Sequence, residues 1–165
     1  MERRESELPP IALPSIQLKK ILLPIDFSEN SRKALAYAVS FARQFGAEVL
    51  LLHVIDVYPV AVQSGALPIG TCDNILDQSA EKLAEWREEF HSRATAQSLV
   101  RFGVAREEIV DVAREDRADL IIMGTRGRTG VAHLFGSTAE WVVRHAPCPV
   151  LVVREREQDF VQTPA

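Results

Sequence analysis

Residues 120–138 read Leu-Ile-Ile-Met-Gly-Thr-Arg-Gly-Arg-Thr-Gly-Val-Ala-His-Leu-Phe-Gly-Ser-Thr. A short, fully apolar run, Leu120 to Met123, breaks into Gly124, Gly127, Gly130 and Gly136, and the stretch ends on the hydroxyls of Ser137 and Thr138. Half of the chain's 8 glycines fall here, directly after a strand-like run and before a helix-like one. Glycine lets the backbone take positive φ and lets a ligand approach without a Cβ in the way. Amides in such a turn can converge on an anion, and the start of the next helix adds partial positive charge. Arg126 and Arg128 add permanent cations, so the stretch has the makings of a phosphate cradle. The same glycines would also serve a tight strand-to-helix connection. No Gly-Lys-Ser/Thr occurs, no lysine lies in the stretch, and the spacing is not Gly-x-Gly-x-x-Gly, which excludes both general nucleotide fingerprints.

Outward from this point the chain alternates. Lys20 to Ile25 is an apolar first strand ending at Asp26, and Ser28 is placed to cap a helix whose apolar positions run Leu35, Ala38, Val39, Ala42 and Phe45 before Gly46 stops it. Val49 to Leu52 is apolar on consecutive positions, as in a parallel strand covered on both faces. Residues 56–73, with Pro59, Gly65, Pro68 and Gly70, read as a long loop. A helix follows over 74–92, a strand over 96–102, an amphipathic helix over 105–115, the strand 120–123, a helix over 138–145 and a last strand over 149–153. This order predicts an α/β fold, a five-stranded parallel sheet with helices on both faces, Rossmann-like. In a sheet ordered 3-2-1-4-5, strands 1 and 4 are neighbours where the winding reverses, and ligands bind in the crevice that opens there. Asp26 would face that crevice, suited to a ribose hydroxyl or a metal-phosphate group; it would equally suit the helix N-terminus behind it.

Composition sets the outer bounds. The chain of 165 residues is 47% hydrophobic and 25% charged with a formal charge of −4, which suits one soluble domain and gives no general reason to expect nucleic-acid or anionic-membrane binding. The charged start of the chain lacks a signal-peptide core, and apolar runs of about half a dozen residues fall short of the roughly 20 a spanning helix needs. A cytoplasmic location is the expectation. Residues 1–18 read as an extended arm, 19–154 as the nucleotide-binding domain and 155–165 as a tail. The 2 cysteines, Cys72 and Cys148, and the 4 histidines show no metal-ligand spacing, so no metal site and no catalytic residue is assigned. Cys148 between two prolines reads as structural, and His53 as a packed residue with a satisfied ring.

Four segments together carry a resemblance: Lys19-Lys-Ile-Leu-Leu-Pro-Ile-Asp-Phe-Ser28, Leu51-Leu-His-Val-Ile-Asp56, Ala118-Asp-Leu-Ile-Ile-Met-Gly-Thr-Arg-Gly127 and Gly136-Ser-Thr-Ala-Glu-Trp-Val-Val-Arg-His-Ala-Pro-Cys-Pro-Val-Leu-Val-Val153. Over roughly 19–154 the chain resembles the universal stress protein family. The resemblance implies a five-stranded parallel α/β sandwich that commonly dimerises. It also implies, for the ATP-binding branch, a loop of the form Gly-x2-Gly-x9-Gly-Ser/Thr preceded by an aspartate ending strand 1. On that pattern Pro24, Ile25 and Asp26 would line the adenosine, Val54 would contact adenine, and Met123, Gly124, Arg126, Gly127, Gly136, Ser137 and Thr138 would surround the phosphates. The chain departs at one point, with eight residues rather than nine between Gly127 and Gly136. Absorbing the missing residue could move the second set of amides by about 3.5 Å.

The function expected is a cytoplasmic ATP-binding regulatory homodimer, with Mg2+ arriving alongside ATP. The alternatives are a nucleotide-independent interaction dimer of the same fold and an enzyme, at most a slow ATPase, since no general base stands out. The last strand would lie on a sheet edge unprotected by inward charge, so Val150, Leu151, Val152 and Val153 are the expected dimer interface, unless the arm or tail covers them. His133 is a candidate phosphate neighbour or a solvated loop residue.

Overall fold

Consecutive apolar residues in β1 (Lys20–Pro24) and β2 (Glu48–Asp56) have to be buried on both faces of a sheet, and the computed structural model shows how. It describes residues 15–56, 71–91 (main chain alone at 71, 72, 90 and 91), 94–125, 136–154 and 161. The remaining described elements are α1 (Glu29–Phe45), α2 (Thr71–His91), β3 (Ala96–Gly103), α3 (Ala105–Glu115), β4 (Leu120–Gly124), α4 (Ser137–His145) and β5 (Val150–Val153). The strands form one parallel sheet in the order β3-β2-β1-β4-β5, with Ile21 opposite Val49 on one side and Leu120 on the other. The expected topology and helix placement are therefore observed.

Period-two alternation sorts the strand residues into two layers. Ile21, Leu23, Val49 and Leu51 pack against Ala34, Leu35 and Ala38 of α1 and Leu83 and Trp86 of α2. Leu22, Leu50, Leu52, Ile121 and Met123 point the other way, onto Ile109, Val110, Val112 and Ala113 of α3 and Ala139 and Val142 of α4. Burial of each such side chain stabilises the fold by about 1.5–3 kcal/mol before conformational entropy is charged against it. Trp86 is thus a core residue.

Local signals set the helix ends. Ser28 accepts from Ser31 N–H at 3.2 Å at the start of α1, and Gly46 ends it in the left-handed conformation at φ 67°. α2 begins at Thr71, three residues before the expected start, so the end of the supposed loop is helical; residues 57–70 lie outside the described set. Leu18, at the end of the expected arm, is buried, and Val161, within the expected tail, packs against the α1–α2 layer.

β5 lies at a sheet edge, paired only with β4 among the described strands. Ile121 N–H donates to Pro149 O and Thr125 N–H to Val153 O, both at 3.0 Å. Alternate residues of a strand turn their main-chain groups to opposite sides, so Val150 and Val152 present theirs outward. Val153 is a correction: its side chain is 1% exposed and its carbonyl faces β4, so the chain's own core uses it, leaving Val150, Leu151 and Val152 half-buried at the edge.

Candidate functional site

The reversal of winding between β1 and β4 leaves a crevice of about 690 Å³ at the carboxyl ends of the strands. Pro24, Ile25 and Asp26 enter from β1, Val54 and Asp56 from β2, Met123, Gly124 and Thr125 from β4, and Gly136, Ser137 and Thr138 from the start of α4. Nine of the residues singled out from sequence thus meet at one opening. Arg126 and Gly127 lie outside the described residues, as do Arg128, Gly130 and His133.

Asp26 is anchored as well as open. Its Oδ1 accepts from Ser28 N–H at 3.1 Å, Ser28 Oγ–H at 2.6 Å and Ser31 Oγ–H at 2.5 Å, while its own N–H donates to Ser31 Oγ at 3.2 Å. The carboxylate therefore serves the α1 N-terminus through one oxygen, and Oδ2 takes no hydrogen bond from a described residue. The helix-terminal role left open by the sequence is thus observed, and the same side chain lines the crevice. Phe27, next in the chain, sits in the left-handed region at φ 63°, which costs a non-glycine residue roughly 1–2 kcal/mol. Its ring is held by His53 at 4.5 Å, by Trp86 edge-on at 5.6 Å and by the Lys82 ammonium at 4.6 Å. That packing supports the reversal that swings Asp26 back over the helix start.

His53 donates from Nδ1 to Ile25 O at 2.7 Å, since a carbonyl only accepts. The ring is satisfied as expected, and it also lines the crevice. Gly124 has a packing role: a Cβ there would stand 2.9 Å from Asn30 Cβ, so α1 packs against bare backbone.

The α4 N-terminus is a donor surface. Gly136 caps it without a side-chain bond, and Glu140 is the first residue whose N–H bonds back, to Gly136 O at 3.0 Å. The N–H groups of Ser137, Thr138 and Ala139 consequently have no partner within the helix. Gly136 N–H donates to Thr125 O at 2.8 Å, closing the two ends of the shortened loop on each other. Gly136 is therefore held by its strand-to-helix junction.

Sequence reasoning missed Ser31, Asp56 and Thr125, and the contributions of Ile75 and Ser79 from α2 and Ala105 and Ile109 from α3. Thr125 and Asp56 lay inside quoted segments without a role. The α2 and α3 residues carry no local signal and reach the crevice by packing alone. Away from it, Cys148 is half-buried, and burial, with the nearby Asp119 carboxylate, pushes its thiol up from the ordinary range against a weaker backbone contribution. Among the described residues, no group of three or more His, Cys, Asp or Glu could hold a metal, and no helix is long and apolar enough to cross a membrane.

Comparison with known proteins gives a consistent result. The universal stress protein family model matches residues 17–154. Universal stress protein MJ0531 of Methanocaldococcus jannaschii is 36% identical over 149 residues, covering 86% of this chain and 85% of its own. The solved structure of MJ0577, from the same organism, superposes with a TM-score of 0.77 at 31% identity, covering 87% of this chain and all of that one. A universal stress protein of Archaeoglobus fulgidus, solved in complex with dAMP, shares the fold at a TM-score of 0.63 and 22% identity, covering 84% and 99% of the two chains.

Proposed function

Because the chain belongs to the universal stress protein family, we propose that its crevice binds ATP and that the protein is a nucleotide-responsive regulatory module, a member of the ATP-binding branch. The observation that carries this is the meeting of Asp26, Gly124 and the open α4 N-terminus at one crevice of about 690 Å³. The residues fit the group. Amides with no partner within their helix suit phosphate oxygens, Ile25, Val54 and Met123 supply apolar wall for a base, and the Asp26 oxygen that takes no bond from a described residue suits a ribose hydroxyl. Arg126 and Gly127 belong to the same proposed site. Mg2+ would arrive with the phosphates, its charge offsetting the anionic Asp26 and Asp56 on the wall. The binding of dAMP by a relative supports a nucleotide as ligand.

In this proposal the protein acts in the cytoplasm as a homodimer through the open edge of β5, residues 19–154 forming the working domain between an arm and a tail. ATP hydrolysis is at most slow, because Asp26 is committed through Oδ1 to the α1 turn. A nucleotide-independent interaction dimer is favoured by one feature: the formally charged residues on the described wall, Asp26 and Asp56, are both anionic.

The test is thermal. A ligand at a hundredfold its Kd stabilises the folded state by about 2.7 kcal/mol, which raises Tm by roughly 5–10 °C in a domain of this size. No shift with ATP, ADP or AMP, with or without magnesium, overturns the proposal. Mass spectrometry of ligand released from freshly purified protein separates it from the nucleotide-independent dimer.

A further inference from the structure

The β1–β2 register ends with Pro24 opposite Leu52. One main-chain bond follows it, from Ile25 N–H to Leu52 O at 2.7 Å. In a continued parallel ladder the Ile25 carbonyl would take the next main-chain N–H of β2; it takes His53 Nδ1–H instead, at 2.7 Å. The peptide unit between Ile25 and Asp26 is thereby held at both of its polar groups, the carbonyl by His53 and the N–H by Ser31 Oγ at 3.2 Å. Because that unit is planar, it cannot turn without giving up both bonds. The same imidazole lies 4.5 Å from the ring of Phe27, the residue that follows Asp26. Phe27 sits at φ 63°, a backbone state that persists only where its surroundings over-determine it. His53 thus touches the residues on both sides of Asp26, and it does so from β2, a different strand. A carboxylate that meets a ligand through directional hydrogen bonds has to be held to within about 0.5 Å by neighbours of this kind.

We propose that His53 is a positioning residue of the crevice: its Nδ1–H bond to the Ile25 carbonyl fixes the peptide plane from which the Asp26 carboxylate is presented to the ribose of a bound nucleotide. This rests on the crevice being a nucleotide site. His53 acts through Ile25 and Asp26, so its contribution is felt only by a ligand that offers Asp26 a ribose hydroxyl. It adds a role in binding to a ring that the sequence marks only as packed and satisfied.

Calorimetric titration of the full chain with ATP and with its dideoxy analogue, which lacks both ribose hydroxyls, tests it for wild type, His53→Phe and His53→Asn. Phenylalanine keeps an aromatic ring against Phe27 and removes the donor. Asparagine loses the ring but carries its N–H groups on the atom attached to Cγ, where Nδ1 stands in histidine. His53→Phe is expected to weaken ATP about tenfold and the dideoxy analogue by no more than about twofold, while His53→Asn keeps ATP within about threefold of wild type. The ratio of the two affinities decides the matter. A ring that served only the core would lower the ligand-free Tm and leave that ratio unchanged, which overturns the proposal. So does unchanged ATP affinity in His53→Phe, and so does His53→Asn as weak as His53→Phe, which would place the effect in the ring. Heteronuclear NMR of ligand-free wild type needs no variant: the His53 proton is expected on Nδ1, and an unprotonated Nδ1 removes the bond on which the proposal stands. If His53→Phe fails to fold, His53→Gln, whose amide lies one bond further from the backbone, carries the same comparison. Wild type binding neither ligand removes the nucleotide site and this role together, whereas wild type binding both equally keeps the nucleotide site and removes this role alone.

Discussion

Substituting Gly124 by alanine separates two uses of one glycine. A Cβ at Gly124 would stand 2.9 Å from Asn30 Cβ and 3.2 Å from the Asn30 carbonyl carbon and oxygen. Carbon atoms rest about 3.5–4.0 Å apart, so α1 would have to retreat by roughly 0.6–1.1 Å against a sheet with no slack behind it. Asn30 lies in the first turn of α1, between the Ser28 cap and Ser31, whose hydroxyl bonds Asp26 at 2.5 Å. The displacement therefore loads the same turn that anchors the carboxylate. Overpacking of this kind costs about 1–3 kcal/mol, which lowers Tm by roughly 2–12 °C in a chain of this length. Chemical denaturation of Gly124→Ala, Asn30→Gly and the double variant measures it. Asn30→Gly removes the nearest atom at a helix-propensity cost of a few tenths of a kcal/mol, so the double variant should be about 1 kcal/mol more stable than additivity allows. Stability of Gly124→Ala within about 0.5 kcal/mol of wild type, or strict additivity, refutes the packing argument. Reduced nucleotide affinity at unchanged stability would then leave ligand approach as the glycine's only role.

Two other outcomes follow from the same geometry. Asp26→Ala leaves Ser28 N–H and the hydroxyls of Ser28 and Ser31 without their shared acceptor, so urea denaturation should show a loss of about 1–3 kcal/mol without any ligand present; an unchanged midpoint would mean that the α1 turn holds without the carboxylate. Cys148 carries a thiol held above the ordinary range chiefly by burial, then by Asp119, so at neutral pH it stays protonated. Peptide-resolved iodoacetamide labelling should be slower at Cys148 than in unfolded protein and should rise only in alkaline solution, while rapid labelling at pH 7 would contradict its burial.

Much of the architecture was legible because it depends on periodicity. Consecutive apolar residues in β1, β2 and β4 can be satisfied only between two helical layers, and Gly46 and Ser28 mark ends that backbone geometry enforces locally. The crevice followed, since the ends of β1 and β4 bring Asp26 and Gly124 together in any sheet wound this way. Less visible was how α2 begins, as Thr71 to Asp73 follow a stretch rich in turn residues and carry no stripe of their own.

The sequence by itself determined the alternation of strands and helices, the acidic end of the first strand and the glycine-rich turn after the fourth, because each is written in residues near one another along the chain. Tertiary structure alone decided what those residues do besides. It joined Asp26 to Ser31, set Asn30 against Gly124, and drew Leu18 and Val153 into the core. The physical reason is that these outcomes depend on distances between separate elements: a carboxylate, a glycine or a hydroxyl reads the same in sequence whether its neighbour across space is water, a helix or nothing at all.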